Sequence, residues 1–294
     1  MSNVKNEFKK NGFVTSKPII NEIAISEIRE QLDKEFNDKK NYKGVALEID
    51  QFENLDLAKN ILNILFSNET KKIIRELEDL SSEPVSLLPP VHVHKNYHLD
   101  QSKTLGWHRD CGGELKHNYC KKKIYSKNYL FSKVGIYLQT NSEIGGSIDI
   151  IQSSHKNFSF IKTFLRKINS IPLKLVLLLH KYFNNIYFKI SENFFMQFIK
   201  AKRLYPQKSS AVFFDSRLIH RGSPVSRNKI KEIEYTDKPN QINLPKNFTK
   251  YVIYSHFGNK AAVDSYMHDR LKRKGNDNEL HMWLNQIDFI AKLN

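Results

Sequence analysis

Cysteine is scarce in this chain, long apolar runs are missing, and acidic residues are outnumbered. Only Cys111 and Cys120 occur among 294 residues. Two cysteines so close together build neither a disulfide framework nor a closed four-ligand zinc site. The longest apolar run, Leu175 to Leu179, is far short of the ~20 residues that cross a bilayer as a helix. The opening stretch MSNVKNEFKKNGF has no apolar core of signal-peptide type. A reducing cytoplasm is therefore the expected compartment. No internal repeat and no low-complexity tract is visible.

Acidic residues number 31 against 47 basic ones, a net charge of +16. That balance draws polyanions, anionic membrane surfaces or acidic substrates. The same lysine and asparagine bias also arises from an AT-rich coding sequence, so charge alone assigns no partner. Hydrophobic residues make up 40% and charged ones 27%, a balance that suits a globular domain and excludes a disordered chain. Nineteen Phe and thirteen Tyr point to large buried side chains. The length suits one large domain.

Along the chain, a short helical stretch leads to Gly12-Phe13-Val14 and then to a second helix. There Ile23, Ile25, Ile28 and Leu32 recur at roughly helical spacing. Residues 55–80 repeat the pattern through Leu57, Ile61, Leu62, Ile64 and Leu65, then Ile73, Ile74, Leu77 and Leu80, with Asn68 as the expected cap of the second part. After Pro84 the character changes. Val91 to His94, Leu130 to Leu138, Ser147 to Ile151, Ala211 to Phe214 and Tyr251 to His256 read as strands, with Gly112-Gly113 and Gly145-Gly146 as turns. Helices followed by short strands predict an α+β protein with a mainly β core, an antiparallel barrel or jelly roll. Residues 158–205 break the strand pattern and read as helical. They hold 11 aromatics and nine basic residues against Glu192 alone, a charge of +8. Val263 to Asn294 reads as a polar helix.

The chemistry centres on Gly106-Trp107-His108-Arg109-Asp110. Residues i and i+2 of a strand share a side, so the His108 imidazole and the Asp110 carboxylate converge. A second imidazole from a distant strand completes a two-His-one-carboxylate face, which suits Fe(II) and leaves positions open for an oxo acid and O2. His220, at the end of the apolar run beginning at Phe213, is the natural partner. H-x-D alone is a weak signal, and His98-Leu99-Asp100 matches it too.

Ordered context separates the two. Phe8 to Val14 (FKKNGFV) and the helix after it resemble the opening of the phytanoyl-CoA dioxygenase family. Trp107-His108-Arg109-Asp110 resembles its W-H-x-D. Tyr137 to Thr140, Gly145 to Ile148 and Ser153-Ser154-His155-Lys156 are similar to its strand, Gly-Gly turn and G-S-H-K segment. His220-Arg221-Gly222-Ser223-Pro224 resembles its distal His segment. The resemblance spans nearly the whole chain and selects His108 over His98. It implies a cupin-like double-stranded β-helix, a jelly roll with N-terminal helices and a helical insertion, forming one dioxygenase domain over residues 1–294. It implies metal ligation by His108, Asp110 and His220, a cofactor contact at Ser223, and the use of Fe(II), 2-oxoglutarate and O2 in hydroxylation of a small or lipid-linked substrate.

The family's arginine for the far carboxylate of 2-oxoglutarate has no direct counterpart. Lys250, which opens a segment similar to the last family strand, takes that slot if residues 228–248 are an inserted loop. Arg227 is the alternative. Trp107, His94 and Lys133 are candidates for the substrate pocket, and for Lys133 a solvated surface position is the other reading. The 158–205 insertion reads as a helical cap, or as a lid with interfacial amphipathic helices and peripheral membrane contact. A basic nucleic-acid- or anionic-membrane-binding protein on a degenerate dioxygenase fold is the rival function, although no nucleic-acid-binding motif is present.

Overall fold

A computed structural model describes residues 4–38, 46–96, 108–110, 129–139, 147–156, 197, 201–223, 250–264 and 290. Helix α1 (Val4–Asn11) buries Phe8 and hands over to strand β1 (Phe13–Pro18) through Gly12. Gly12 has φ +85°, a conformation that costs other residues energy. A Cβ at this position would also collide with the His155 ring and the Leu218 side chain, so glycine is required twice over.

Helix α2 (Glu22–Asp38) turns Ile25, Ile28 and Leu32 inward, whereas Ile23 is 73% exposed and lies off the stripe. Helix α3 (Leu55–Leu65) is capped by Asn54, whose side chain accepts from the Leu57 N–H. Helix α4 (Asn68–Ser81) is capped by Ser67, which accepts from the Thr70 N–H, so the expected cap at Asn68 moves back one residue. Two such caps each satisfy a helix-end donor, about 1 kcal/mol apiece.

The strands are β2 (Ala46–Glu48), β3 (Val85–Asn96), β4 (Phe131–Tyr137), β5 (Ile148–Ile151), β6 (Ala201–Leu204), β7 (Ser210–Asp215), β8 (His220–Gly222) and β9 (Lys250–Asn259). They form a six-stranded sheet, β1-β7-β4-β9-β3-β2, and a three-stranded sheet, β6-β5-β8. Every pairing is antiparallel. Pro89 and Pro90 lie inside β3, where the register shifts between Leu88 and His92; proline has no N–H to give to a ladder.

Alternation along the strands sorts the two faces of the large sheet. Val93, Val134, Ile136, Tyr251 and Ile253 pack with the helices. Tyr137, Val212, Phe214, Val252 and Tyr254 pack with Ile148, Ile150 and Leu204 of the small sheet. The space between the sheets is therefore lined from both sides by inward side chains.

Ala201–Leu204, expected as the tail of a helical insertion, is strand β6 paired with β5. Apart from Gln197 and the stretch from Ala201 on, residues 158–205 lie outside the described residues, as do 228–248, His98 and Asp100. Residues 260–264 are helical, and the rest of the expected C-terminal helix, except Ile290, is also outside. Among the described residues no helix is long and apolar enough to cross a membrane.

Candidate metal centre

His108 and His220 pair as an antiparallel bridge that extends the small sheet. The His108 N–H donates to the His220 carbonyl at 3.0 Å, and the His220 N–H returns the bond at 2.9 Å. Their rings stand 4.4 Å apart. Asp110 lies on a bend, not on a strand, yet its carboxylate still turns toward both rings. Asp110 Oδ1 is 3.7 Å from Nε2 of His108 and 3.7 Å from Nε2 of His220. One ligand atom from each residue lies within 4.8 Å of the others.

His220 does not end a core strand, as its apolar run suggests. The chain leaves β7 at Asp215, turns, and enters β8 at His220 in the other sheet. That crossing carries the imidazole from one wall of the cavity to the opposite one. The ring lies 4.7 Å from Phe214, and its Nδ1 is 3.0 Å from the Leu218 carbonyl. A bond to a carbonyl requires the proton on Nδ1, which leaves the Nε2 lone pair facing Asp110. Burial lowers the His220 pKa to about 4, against the favourable field of Asp110, so the ring is neutral at pH 7 and able to ligate.

Burial opposes ionisation of Asp110, but nearby cationic charge, that of Lys133 first, outweighs it and holds the carboxyl well below the usual range. Lys133 Nζ stands 3.3 Å from Asp110 Oδ2. The angle makes no hydrogen bond, and Oδ2 is buried without a hydrogen-bond partner. That oxygen has an ammonium beside it but no hydrogen bond, which leaves it able to accept a further partner. Two imidazoles and a carboxylate on one side of a cavity fit a divalent transition metal with open positions.

The opposite wall is basic and phenolic. Lys250, Val252, Tyr254 and His256 share the inward face of β9, Lys133 and Tyr137 that of β4, and His92 and His94 that of β3. Lys133, for which a surface position was the other reading, faces the ligands. His94 meets the Tyr254 ring edge-on at 5.1 Å and His92 at 4.7 Å. Tyr137 and Tyr254 hydrogen-bond through their hydroxyls, and burial pushes Tyr254 up to about 12. Lys250 is 7% exposed, lies 5.2 Å from the Tyr137 ring centroid, and is pushed down to about 7 by burial.

Ser223 is placed elsewhere. Its Oγ donates to Asp149 Oδ1 at 2.6 Å, on the face of the small sheet away from the cavity. Its hydroxyl is committed to that network and not to a cofactor. Trp107 and Arg227 lie outside the described residues.

Several supporting residues carry no sequence signal. Asp149, fully buried, takes two bonds from Arg203, one from Arg221 and one from Ser223. Ser154 joins both ligand segments: its carbonyl accepts from Arg109 Nη2 at 2.8 Å and its Oγ from the Ile219 N–H at 2.7 Å. His256, Tyr137 and Tyr254 were legible only as strand residues; alternation counted from Lys250 would have placed His256 and Tyr254 inward.

No protein-family model matches the chain, and no curated protein matches it. The resemblance to the phytanoyl-CoA dioxygenase family thus rests on its motifs. Solved structures do match. HygX from Streptomyces hygroscopicus, with nickel and 2-oxoglutarate bound, aligns over 88% of this chain and 87% of its own at 12% identity and TM-score 0.52. Apo HygX aligns over the same shares at 11% identity and TM-score 0.50. EctD from S. alaskensis, with 2-oxoglutarate and 5-hydroxyectoine, aligns over 88% and 76% at 9% identity and TM-score 0.49. Nearly end to end, the chain shares the fold of HygX.

Proposed function

We propose that this chain is a non-haem Fe(II)- and 2-oxoglutarate-dependent oxygenase that hydroxylates an organic substrate. The observation that carries the reading is the convergence of His108 Nε2, Asp110 Oδ1 and His220 Nε2 within 4.8 Å. The fold shared with HygX, whose crystal structure holds 2-oxoglutarate, and two antiparallel sheets enclosing the site support a double-stranded β-helix. An intact donor set also favours an enzyme over a basic binding protein with a degenerate site.

Fe(II), 2-oxoglutarate and O2 together supply oxidation of a C–H bond, the oxo acid leaving as succinate and CO2. The chain's own residues bind and orient. His108, Asp110 and His220 hold the metal. The His220 Nδ1 bond to Leu218 fixes the ring, and Lys133 steadies Asp110. Lys250 receives the far carboxylate of the oxo acid as a buried point charge. It is preferred over Arg227 because it opens β9 on the inward face, beside Tyr137. Asp110 fills the position that related halogenases leave to chloride, so hydroxylation is the expected outcome. The apolar wall of Phe214, Val252 and Ile150 excludes water.

The test is anaerobic addition of Fe(II) and 2-oxoglutarate to the protein, watching for the visible charge-transfer band of the ternary complex. We expect the band in the wild type and none in His108→Ala. No band in the wild type, or equal bands in both, overturns the proposal.

A further inference from the structure

Two ammonium groups enter the cavity at opposite ends of one tyrosine pair. Lys250 Nζ lies 5.2 Å from the Tyr137 ring centroid and Lys133 Nζ 5.1 Å from that of Tyr254. The two hydroxyls are hydrogen-bonded between them. Each cation therefore addresses its own anion. In the reading above, Lys250 takes the far carboxylate of the oxo acid. Lys133 stands at the metal end, 3.3 Å from Asp110 and without a hydrogen bond to it.

Imidazoles gather around Lys133, with His256 directly opposite it on β9. His92 and His94 stand 5.7 and 5.1 Å from the same Tyr254 ring. His92 is within electrostatic reach of His94, Lys133 and His256. Strands β3, β4 and β9 contain no carboxylate at all. Glu48, on the edge strand β2, is turned to the backbone N–H of Gln51.

Charge counting sharpens the point. A divalent ion, Lys133 and Lys250 face one carboxylate, Asp110, and a dianionic oxo acid. Among the described residues one positive charge is left over in that space, and an uncompensated buried charge is costly. A substrate with an acidic group removes it.

We propose that the substrate of this site is an acid, its carboxylate or phosphate held by Lys133 together with His256. The inference rests on the iron and 2-oxoglutarate reading. It also constrains the reaction: Lys133 touches a metal ligand, so the carbon oxidised lies within a few bonds of the acid group.

The experiment uses full-length protein loaded with Mn(II) and saturated with 2-oxoglutarate. Two probes are titrated separately, methylphosphonate read by 31P relaxation and acetate read by 13C relaxation, because Mn(II) speeds relaxation only of nuclei held close to it. We expect saturable enhancement for at least one probe, and which one responds distinguishes a phosphate from a carboxylate substrate. Lys133→Met, compared at Mn(II) and 2-oxoglutarate concentrations that saturate the variant, should weaken that binding at least tenfold. His256→Gln should weaken it in the same direction and stands in if the first variant does not fold. No saturable enhancement with either probe, or equal binding by wild type and variants, overturns the proposal. Failure of the wild type to bind Mn(II) or 2-oxoglutarate instead removes the iron reading, and this inference with it.

Discussion

The main chains of His108 and His220 are joined to each other by two hydrogen bonds, at 3.0 and 2.9 Å. The spacing of the two imidazoles is thus fixed by backbone. His108→Ala keeps both bonds and removes one donor atom. Loss of a partner behind a metal ligand costs 10–100-fold in affinity, so loss of the ligand itself is expected to cost more than about 100-fold. The His108 side chain is 23% exposed, so metal-free stability should change by no more than about 1 kcal/mol. Mn(II) titration calorimetry and urea unfolding of the metal-free protein check the two halves. Retained affinity would remove His108 from the ligand set.

Lys250 sets a pH dependence. Burial pushes its pKa down to about 7, so between pH 7 and the ordinary lysine range the folded chain holds fewer protons here than the unfolded chain. Stability of the ligand-free protein therefore carries a penalty below pH 7 that is relieved as pH rises through that window. Binding of a carboxylate works the other way, because it needs the ammonium form. Affinity for 2-oxoglutarate should fall as pH rises above 7, approaching about tenfold per pH unit, and at pH 8 binding should take up a proton. Calorimetry in two buffers of different ionisation heat measures that proton. Lys250→Arg, charged throughout, should flatten the profile. Equal affinity at pH 6.5 and 8.5 in the wild type would exclude Lys250 as the anchor.

Asp149 holds the small sheet together from its outer face. It neutralises Arg203 across β5 and β6 and Arg221 across β5 and β8. Asp149→Asn leaves Arg221, which is 7% exposed, without its counter-charge; breaking a buried pair in this way costs about 3–5 kcal/mol. Arg203 is more open to water and adds less. Because Arg221 directly follows His220, weaker metal binding should accompany the lost stability. Urea unfolding and Mn(II) titration of the same variant test the pair, and unchanged stability would show that Asp149 is dispensable.

The convergence of His108, Asp110 and His220 was readable because its chemistry is local: an i, i+2 pair in ordered context, with a third residue in a recognisable segment. The helices were readable from period, as with Ile25, Ile28 and Leu32. What the sequence hid was mostly long-range. Ser223 meets Asp149 74 residues away, and nothing beside either position announces it. His220 looked like the end of one strand because Val212 to His220 is mostly apolar; the turn at Asp215 to Arg217 is stabilised by Arg217 bonding the Asp215 carboxylate, which hydropathy does not register. Strand β6 was missed because Ala-Lys-Arg-Leu has little β character and follows a run of aromatics. Its register comes from the pairing of Arg203 opposite Asp149.

The junction around Gly12 has a kinetic consequence. The Asp215 N–H donates to the Gly12 carbonyl, and the Ser153 N–H and hydroxyl donate to the Asn11 and Lys10 carbonyls. Ser154, next in the chain, holds both ligand segments. Helix α1 must therefore meet residues near 153 and 215 before the segments of His108 and His220 are held in place. Closing loops of that length before any reward is collected makes for slow folding, so the metal site should be among the last parts of the fold to mature, and folding itself should limit how quickly refolding protein becomes competent to take up metal.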